Sequence, residues 1–253
     1  MTSTAARPGQ DDIAFQEKLY NDPNPTRRGL HLARRAWIEN RLAPIVRDGT
    51  KVMEVGVGCG VFTRFLSGLG ASVSAVDINQ AFLDGVASLD GVAIRNADAT
   101  EQLEFRNMDV ALCSEVLEHV PPARSQAMLD HFALSLKTGG TLILTTPQSF
   151  AIVEMMARMF RFRPILALAR MIYGTAEELG HINLLTQRAL KKQIANSGFK
   201  IEEEALFGFY LPAIAEFGGS LGANFLQRIG SLICHVPVLR GLLWTQAYRL
   251  TKS

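Results

Sequence analysis

The stretch Glu54-Val55-Gly56-Val57-Gly58-Cys59-Gly60 is where residue types and spacing point most directly to chemistry. Glycines at 56, 58 and 60 allow a sharp turn out of a strand and let a ligand approach the backbone without Cβ interference. Residues 61–69 then carry a helical pattern, and the first N–H groups of a helix have no partner within it, so they can face that ligand. Asp77 ends an apolar run over residues 72–76, where its carboxylate can grip the two hydroxyls of a ribose, and Ile78 follows, placed against an adenine face. Strand, glycine turn, helix, strand and acid together describe a pocket for an adenine nucleoside.

Dinucleotide-binding enzymes share this logic, with G-x-G-x-x-G and a diphosphate on the helix N-terminus. Here Val61 stands where the third glycine of that pattern belongs, and Glu54 lies two residues before the first glycine. An acid there suits a ligand carrying an ammonium group better than a diphosphate. The stretch resembles motif I of the S-adenosylmethionine (SAM) methyltransferases, E/D-x-G-x-G-x-G, and further segments follow in that family's order. Asn96-Ala97-Asp98-Ala99, after a short strand over residues 92–95, resembles the acidic turn that takes the adenine amino group. Residues 109–113 read as a fourth strand ending in Ser114-Glu115-Val116-Leu117-Glu118-His119-Val120, similar to the run found in quinone-biosynthesis O-methyltransferases. Leu136-Lys137-Thr138-Gly139-Gly140 and residues 141–147 resemble the turn and fifth strand, with Thr138 where proline is commoner. The resemblance covers residues 50–150, and residues 183–199 resemble the family's sixth helix and the start of its sixth strand.

The resemblance implies a Rossmann-like α/β fold with seven strands, mostly parallel, helices on both faces, and SAM as cofactor. Glu54, Gly56, Gly58, Gly60, Asp77, Ile78, Asp98, Ala99, Ser114 and Glu115 are the expected cofactor-binding residues. His119 is the catalytic candidate, because a neutral imidazole near pH 7 can take the proton of a hydroxyl as the methyl group arrives. A structural histidine before Pro121-Pro122 is its plain alternative. Glu115, Glu118 and His119 supply oxygen and nitrogen donors for a divalent metal, although Glu118 and His119 alone do not fill a coordination shell. His181, before the sixth-helix cap, reads as a loop histidine satisfied by backbone, with approach to the acceptor as its alternative.

Composition sets outer bounds. With 253 residues and a formal charge of +2, the chain can bury a large core but carries no electrostatic signature of a nucleic-acid binder. The strand-four run also lacks the Asp/Asn-Pro-Pro-Tyr/Phe pattern of base methyltransferases. Three cysteines without paired spacing favour a reducing, cytoplasmic setting. Residues 1–12 read as a disordered tail, and residues 13–253 as one domain with N-terminal helices over 13–48 and a SAM-binding core over 50–147. Helical additions over 148–185 and 206–242 are expected to build an apolar acceptor site. A helix from a Thr26 cap to Val46 is expected. Within it Arg27, Arg28, Arg34 and Arg35 read as a solvated basic face. Residues 150–173 mix four arginines with bulky apolar groups and could pack, form a lid or lie peripherally on a membrane, with Pro164 breaking them into two helices. Oligomeric state is not readable. Two other readings stay open: an NAD(P)-dependent oxidoreductase, disfavoured by Glu54 and Val61, and a non-catalytic SAM-binding partner protein.

Overall fold

In the computed structural model, residues 10–101, 103–159 and 181–253 are described, with backbone alone for 10–12 and 157–159. Of the tail expected over residues 1–12, residues 1–9 lie outside them, as does the second helix expected after Pro164, whereas residues 10–12 belong to the first helix and not to a tail. Two helices come first, α1 (Gln10–Tyr20) and α2 (Pro25–Leu42). An alternating core follows: β1 (Lys51–Val55), α3 (Val61–Gly68), β2 (Ser72–Asp77), α4 (Gln80–Asp84), β3 (Val92–Asn96) and β4 (Met108–Ser114). Then come α5 (Ser125–Ser135), β5 (Leu136–Pro147), α6 (Ile152–Met159), α7 (Gln187–Asn196), β6 (Phe199–Phe207), α8 (Pro212–Phe217), α9 (Gly219–Ile233) and β7 (Thr245–Lys252).

The seven strands form one sheet in the order β3-β2-β1-β4-β5-β7-β6, parallel except for β7, which runs antiparallel between β5 and β6. The central strands read as nearly unbroken apolar runs because helices cover both faces. The pleat sorts their side chains. Met53, Val55, Ala111, Cys113, Leu142 and Leu144 pack with Met128, Phe132, Leu190 and Ile194 of α5 and α7. Val52, Val73, Ala75, Leu112 and Ile143 face Ile38, Leu42, Phe62, Leu66 and Leu83 of α2, α3 and α4. Crossovers from β1 go one way along the sheet, and β4 returns on its other side. The carboxyl ends of β1 and β4 therefore part, and that opening is where α/β sheets take ligands.

Three local details differ from the sequence reading. The cap of α2 is Asn24 rather than Thr26: Asn24 Oδ1 accepts from the N–H groups of Thr26 and Arg27 at 2.9 and 3.1 Å. Pro25 holds N1, where a missing N–H costs nothing, and the helix ends at Leu42, four residues before Val46. The Leu136–Gly140 turn proves to be an irregularity inside β5, since Met108 pairs with Leu136 but Val110 pairs with Thr141. The four arginines of α2 do not form a solvated face. Arg27 meets Asp22 and Glu216, Arg35 meets Glu39, and Arg34 is buried.

Asn24 also donates from Nδ2 to the Ala215 carbonyl at 2.9 Å, tying α2 to α8. Replacing it with alanine removes both functions. Asn24→Ala should lower unfolding stability by about 1–2 kcal/mol, read as a shift of the urea midpoint with unchanged slope.

Candidate functional site

The glycine loop is built as expected and leaves no room for larger residues. Gly56 and Gly58 sit at φ of +83° and +53°, and a Cβ on Gly56 would lie 2.1 Å from Val116 Cγ2. The loop is pinned by Asp77, whose Oδ2 accepts from Val57 N–H at 2.8 Å while its Oδ1 accepts from Asn79 N–H, also at 2.8 Å. Burial raises the Asp77 pKa, and these backbone donors oppose the shift. Ile78, beside it, is 72% exposed at the strand end. Such exposure leaves a large apolar face uncovered where a flat ring could lie. Asp98 accepts from Thr100 N–H at 2.8 Å and lies 3.6 Å from Arg124. Burial pushes its pKa upward, but Thr100 and Arg124 prevail and hold it low. Ala99 follows, half-buried.

Glu54 is the unusual member. It points to the α3 face of the sheet, in register with Ala75 and Leu112, and is 1% exposed with neither carboxylate oxygen hydrogen-bonded. Burial raises its pKa to about 8; Thr63 offsets this partly without meeting either oxygen in hydrogen-bond geometry. A buried acid without a partner is costly, and an incoming cation would relieve it. With the tight glycine cradle and the exposed Ile78, this makes the residues present fit a positively charged nucleoside. One backbone donor of the loop is already taken: Gln16 of α1 reaches over and accepts from Cys59 N–H at 2.8 Å. A cavity of about 300 Å³ lies between α1, α2 and the start of α3, touching the loop only at Cys59 and Val61. Asp77, Ile78 and Asp98 sit outside it, on the open edge of the sheet.

Across the opening, β4 ends in a strained turn. Ser114 bonds Thr145 through their hydroxyls at 3.0 Å, and Glu115 adopts φ of +57°, a conformation that costs a non-glycine residue about 1–3 kcal/mol. Glu115 is held there by Arg34 at 2.9 Å and by the Thr145 hydroxyl at 3.1 Å. Arg34 in turn bonds Tyr20 and lies 3.4 Å from His31 Nδ1. Burial and then the Arg34 charge lower the His31 pKa to about 3, so that imidazole stays neutral.

Leu117, Glu118 and His119 form a 3-10 turn clasped by a later segment: the N–H groups of Ile182 and Asn183 both donate to the Glu118 carbonyl. This clasp sets His181 against His119, ring centroids 5.2 Å apart and edge to face. His181 does not rest on backbone. Its Nδ1 meets both carboxylate oxygens of buried Glu154 at 3.0 and 3.1 Å, and Glu154 also accepts from Trp244 Nε1 at 3.0 Å. Donor atoms of Glu118, His119 and His181 lie within 4.8 Å of one another. Glu115, expected among metal donors, is engaged by Arg34 instead. Glu118 Oε1 is buried without a partner, and burial followed by Glu115 raises the Glu118 pKa well above its usual range.

Residues 29–204 match the model of a methyltransferase domain family. A ubiquinone biosynthesis O-methyltransferase of Burkholderia ambifaria is 30% identical over 204 residues, covering 70% of this chain and 85% of the relative. Among solved structures, magnesium protoporphyrin IX methyltransferase of Synechocystis superposes with a TM-score of 0.59 at 18% identity, covering 97% of this chain and 96% of that one. The cyclase SpnF superposes at 0.56 and 14% identity, over 85% and 80%. At these identities the likeness is one of fold.

The state of Glu54 gives a sign that can be checked. Its pKa lies above the unfolded value of 4.5, so the folded chain binds the proton more tightly. That stabilisation is complete below pH 4.5 and is lost as pH rises through about 8. Glu54→Gln should leave stability nearly unchanged in acid. Above about pH 8 it should raise stability by on the order of a few kcal/mol, measured by denaturant melts across pH.

Proposed function

The chain belongs to the SAM-dependent methyltransferases, and we propose that its acceptor is an apolar small molecule methylated at oxygen. The observation that carries this reading is the imidazole pair His119 and His181 at the carboxyl end of β4, backed by the buried Glu154 carboxylate. A hydroxyl acceptor must lose a proton as it becomes an ether or ester, and a neutral imidazole is the group suited to take it near pH 7. Exposed Met155 and Ile182 adjoin Glu154 and His181 in the chain, which supports an apolar acceptor there. The printed name of the Burkholderia relative, a ubiquinone biosynthesis O-methyltransferase, agrees with this chemistry. The oxidoreductase alternative is not favoured by the family match.

SAM, when bound, supplies a methyl group already activated by a positively charged sulfur. The residues of this chain would then hold it and shield the reaction. Glu54 faces the ammonium group, Asp77 the ribose hydroxyls, Ile78 and Ala99 the adenine ring, and Asp98 its amino group. Gly56, Gly58 and Gly60 permit close approach, and Ser114 and Glu115 border the methionine end. His119 accepts the acceptor's proton together with His181. Glu154 is a positioning residue: bonded to Nδ1, it fixes the orientation of the His181 ring and leaves Nε2 free of that contact. Positioning and exclusion of water supply most of the remaining acceleration. Of the additions expected to build the acceptor side, residues 148–159, 181–185 and 206–242 are the described ones.

A second reading rests on the Glu118–His119–His181 cluster, which can hold one divalent ion that lowers the acceptor's pKa in place of the imidazole. A chelator separates the two: undiminished activity favours the imidazole base, whereas loss restored by a divalent cation favours the metal.

Calorimetry should show SAM and its demethylated product binding the wild-type protein, with Asp77→Ala weakening both by tenfold or more. Full affinity in that variant would remove the basis of the pocket assignment. For catalysis, His119→Ala should reduce kcat by about 10²–10⁴-fold with SAM affinity unchanged. Glu154→Gln should lower kcat by about 10–100-fold with SAM affinity unchanged, since His181 loses the carboxylate that orients its ring. With radiolabelled donor and a cell extract, label should enter a lipid-soluble product; label confined to RNA or protein would refute the acceptor class.

A further inference from the structure

The face formed by α9 and the turns after it is apolar on the outside and free of carboxylates. Leu221, Phe225 and Leu232 stand at i, i+4 and i+11 along α9, exposed by 84, 51 and 66%, and Arg228 lies in the same stripe. Phe217 precedes them, and Val236, Val238 and Leu239 continue the exposed apolar surface. From residue 217 to 253 the sequence contains no Asp or Glu. A cavity of about 420 Å³ opens beside Val238, with Arg188 and Lys191 of α7 on one side and Arg240 on the other. Residues 182–201, which carry that first side, also lack any acid.

This face is distinguished by arginines outside ion pairs standing beside exposed apolar groups; Arg28, Arg64 and Arg106 also lack a carboxylate partner among the described residues, but they bond backbone carbonyls elsewhere. Arg27, Arg34, Arg35, Arg41 and Arg124 each meet a carboxylate. Among the described residues, Arg188, Arg228 and Arg240 form no ion pair. An exposed apolar area of this extent on a soluble chain marks a contact site. Its charge selects the partner: Lys191 is paired with Glu204, but Arg188, Arg228 and Arg240 form no ion pair among the described residues and complement a surface of uniform negative charge. Long arginine stems can lie along apolar groups while their guanidinium heads reach phosphates. A helix with an exposed apolar stripe that includes Arg228, flanked by Arg188 and Arg240 from neighbouring elements, matches the interfacial class.

We propose that α9, the turn after it and the basic cavity beside Val238 dock the protein on an anionic phospholipid bilayer. Leu221, Phe225, Leu232 and Val238 enter the acyl boundary, and Arg188, Arg228 and Arg240 meet the headgroup phosphates. The role of this surface does not depend on which acceptor is methylated.

The test uses full-length protein and vesicles of phosphatidylcholine, alone or mixed with phosphatidylglycerol. Flotation with the mixed vesicles alone, weakened by salt, is the expected result. Arg188→Gln combined with Arg240→Gln should reduce partitioning roughly tenfold or more, and Leu221→Glu with Phe225→Glu should abolish it, with SAM affinity and melting temperature retained. Because the double glutamate variant can misfold, hydrogen exchange on the wild-type chain provides a second measurement. Amides of residues 219–239 should slow on adding the mixed vesicles. Indifference to both vesicle types would overturn the proposal, as would binding unaltered by the variants. So would a dimer in light scattering that protects residues 219–239 without lipid, since a second copy would then cover this face.

Discussion

A carboxylate buried without a hydrogen bond is an open electrostatic demand, and Glu54 places one under the glycine loop. No nearby side chain meets it. The fold tolerates it by holding the proton on, at the cost of a pKa near 8. Such a site is poorly suited to an anionic ligand and well suited to a cation that arrives from the open edge of the sheet. Much of the surrounding construction reads as support for that one acid. The sheet order parts the strands just above it, the glycines clear the backbone, and Asp77 fixes the loop through two sets of N–H groups.

The carboxyl end of β4 is organised by a different principle. Polar contacts there link distant segments. Arg34 of α2 reaches Glu115 after β4, and His181 reaches Glu154 of α6, which also holds Trp244 before β7. Removing the carboxylate that meets a buried arginine such as Arg34 typically costs about 3–5 kcal/mol. These links therefore fix where the N-terminal helices and the additions sit relative to the strands. The strained Glu115 backbone is held by the same contacts. Rigidity at this edge is what positioning chemistry requires.

The core of the fold and the geometry of the glycine loop were legible because they depend on local rules. Alternating apolar runs, glycines that need positive φ and an acid at a strand end leave signatures within a few residues. The Asn24 cap was missed by two positions because Thr26 is also a capping type, and only the paired N–H geometry separates them. Arg34 was misread for another reason. His31, Arg34, Ile38 and Leu42 fall at i, i+3, i+7 and i+11, on the buried stripe of α2, and polar residues on that stripe were the available clue. Reading the arginines as a group concealed it. Glu154, the single acid in an apolar run, carried a similar hint. Its partner lies 27 residues away, and no local pattern names a partner at that range. Gln16 left no signal at all, because its role follows from how α1 folds back over the loop.

The account turns on whether the buried acid beneath the loop is answered by the ligand's positive charge. Calorimetric titration of the wild-type chain with SAM near pH 7, repeated in buffers of different ionisation heat, reads this directly. Close to one proton should be released per ligand bound, and the release should vanish in Glu54→Gln. Binding whose heat is the same in every buffer would contradict it, as would release that persists in the variant.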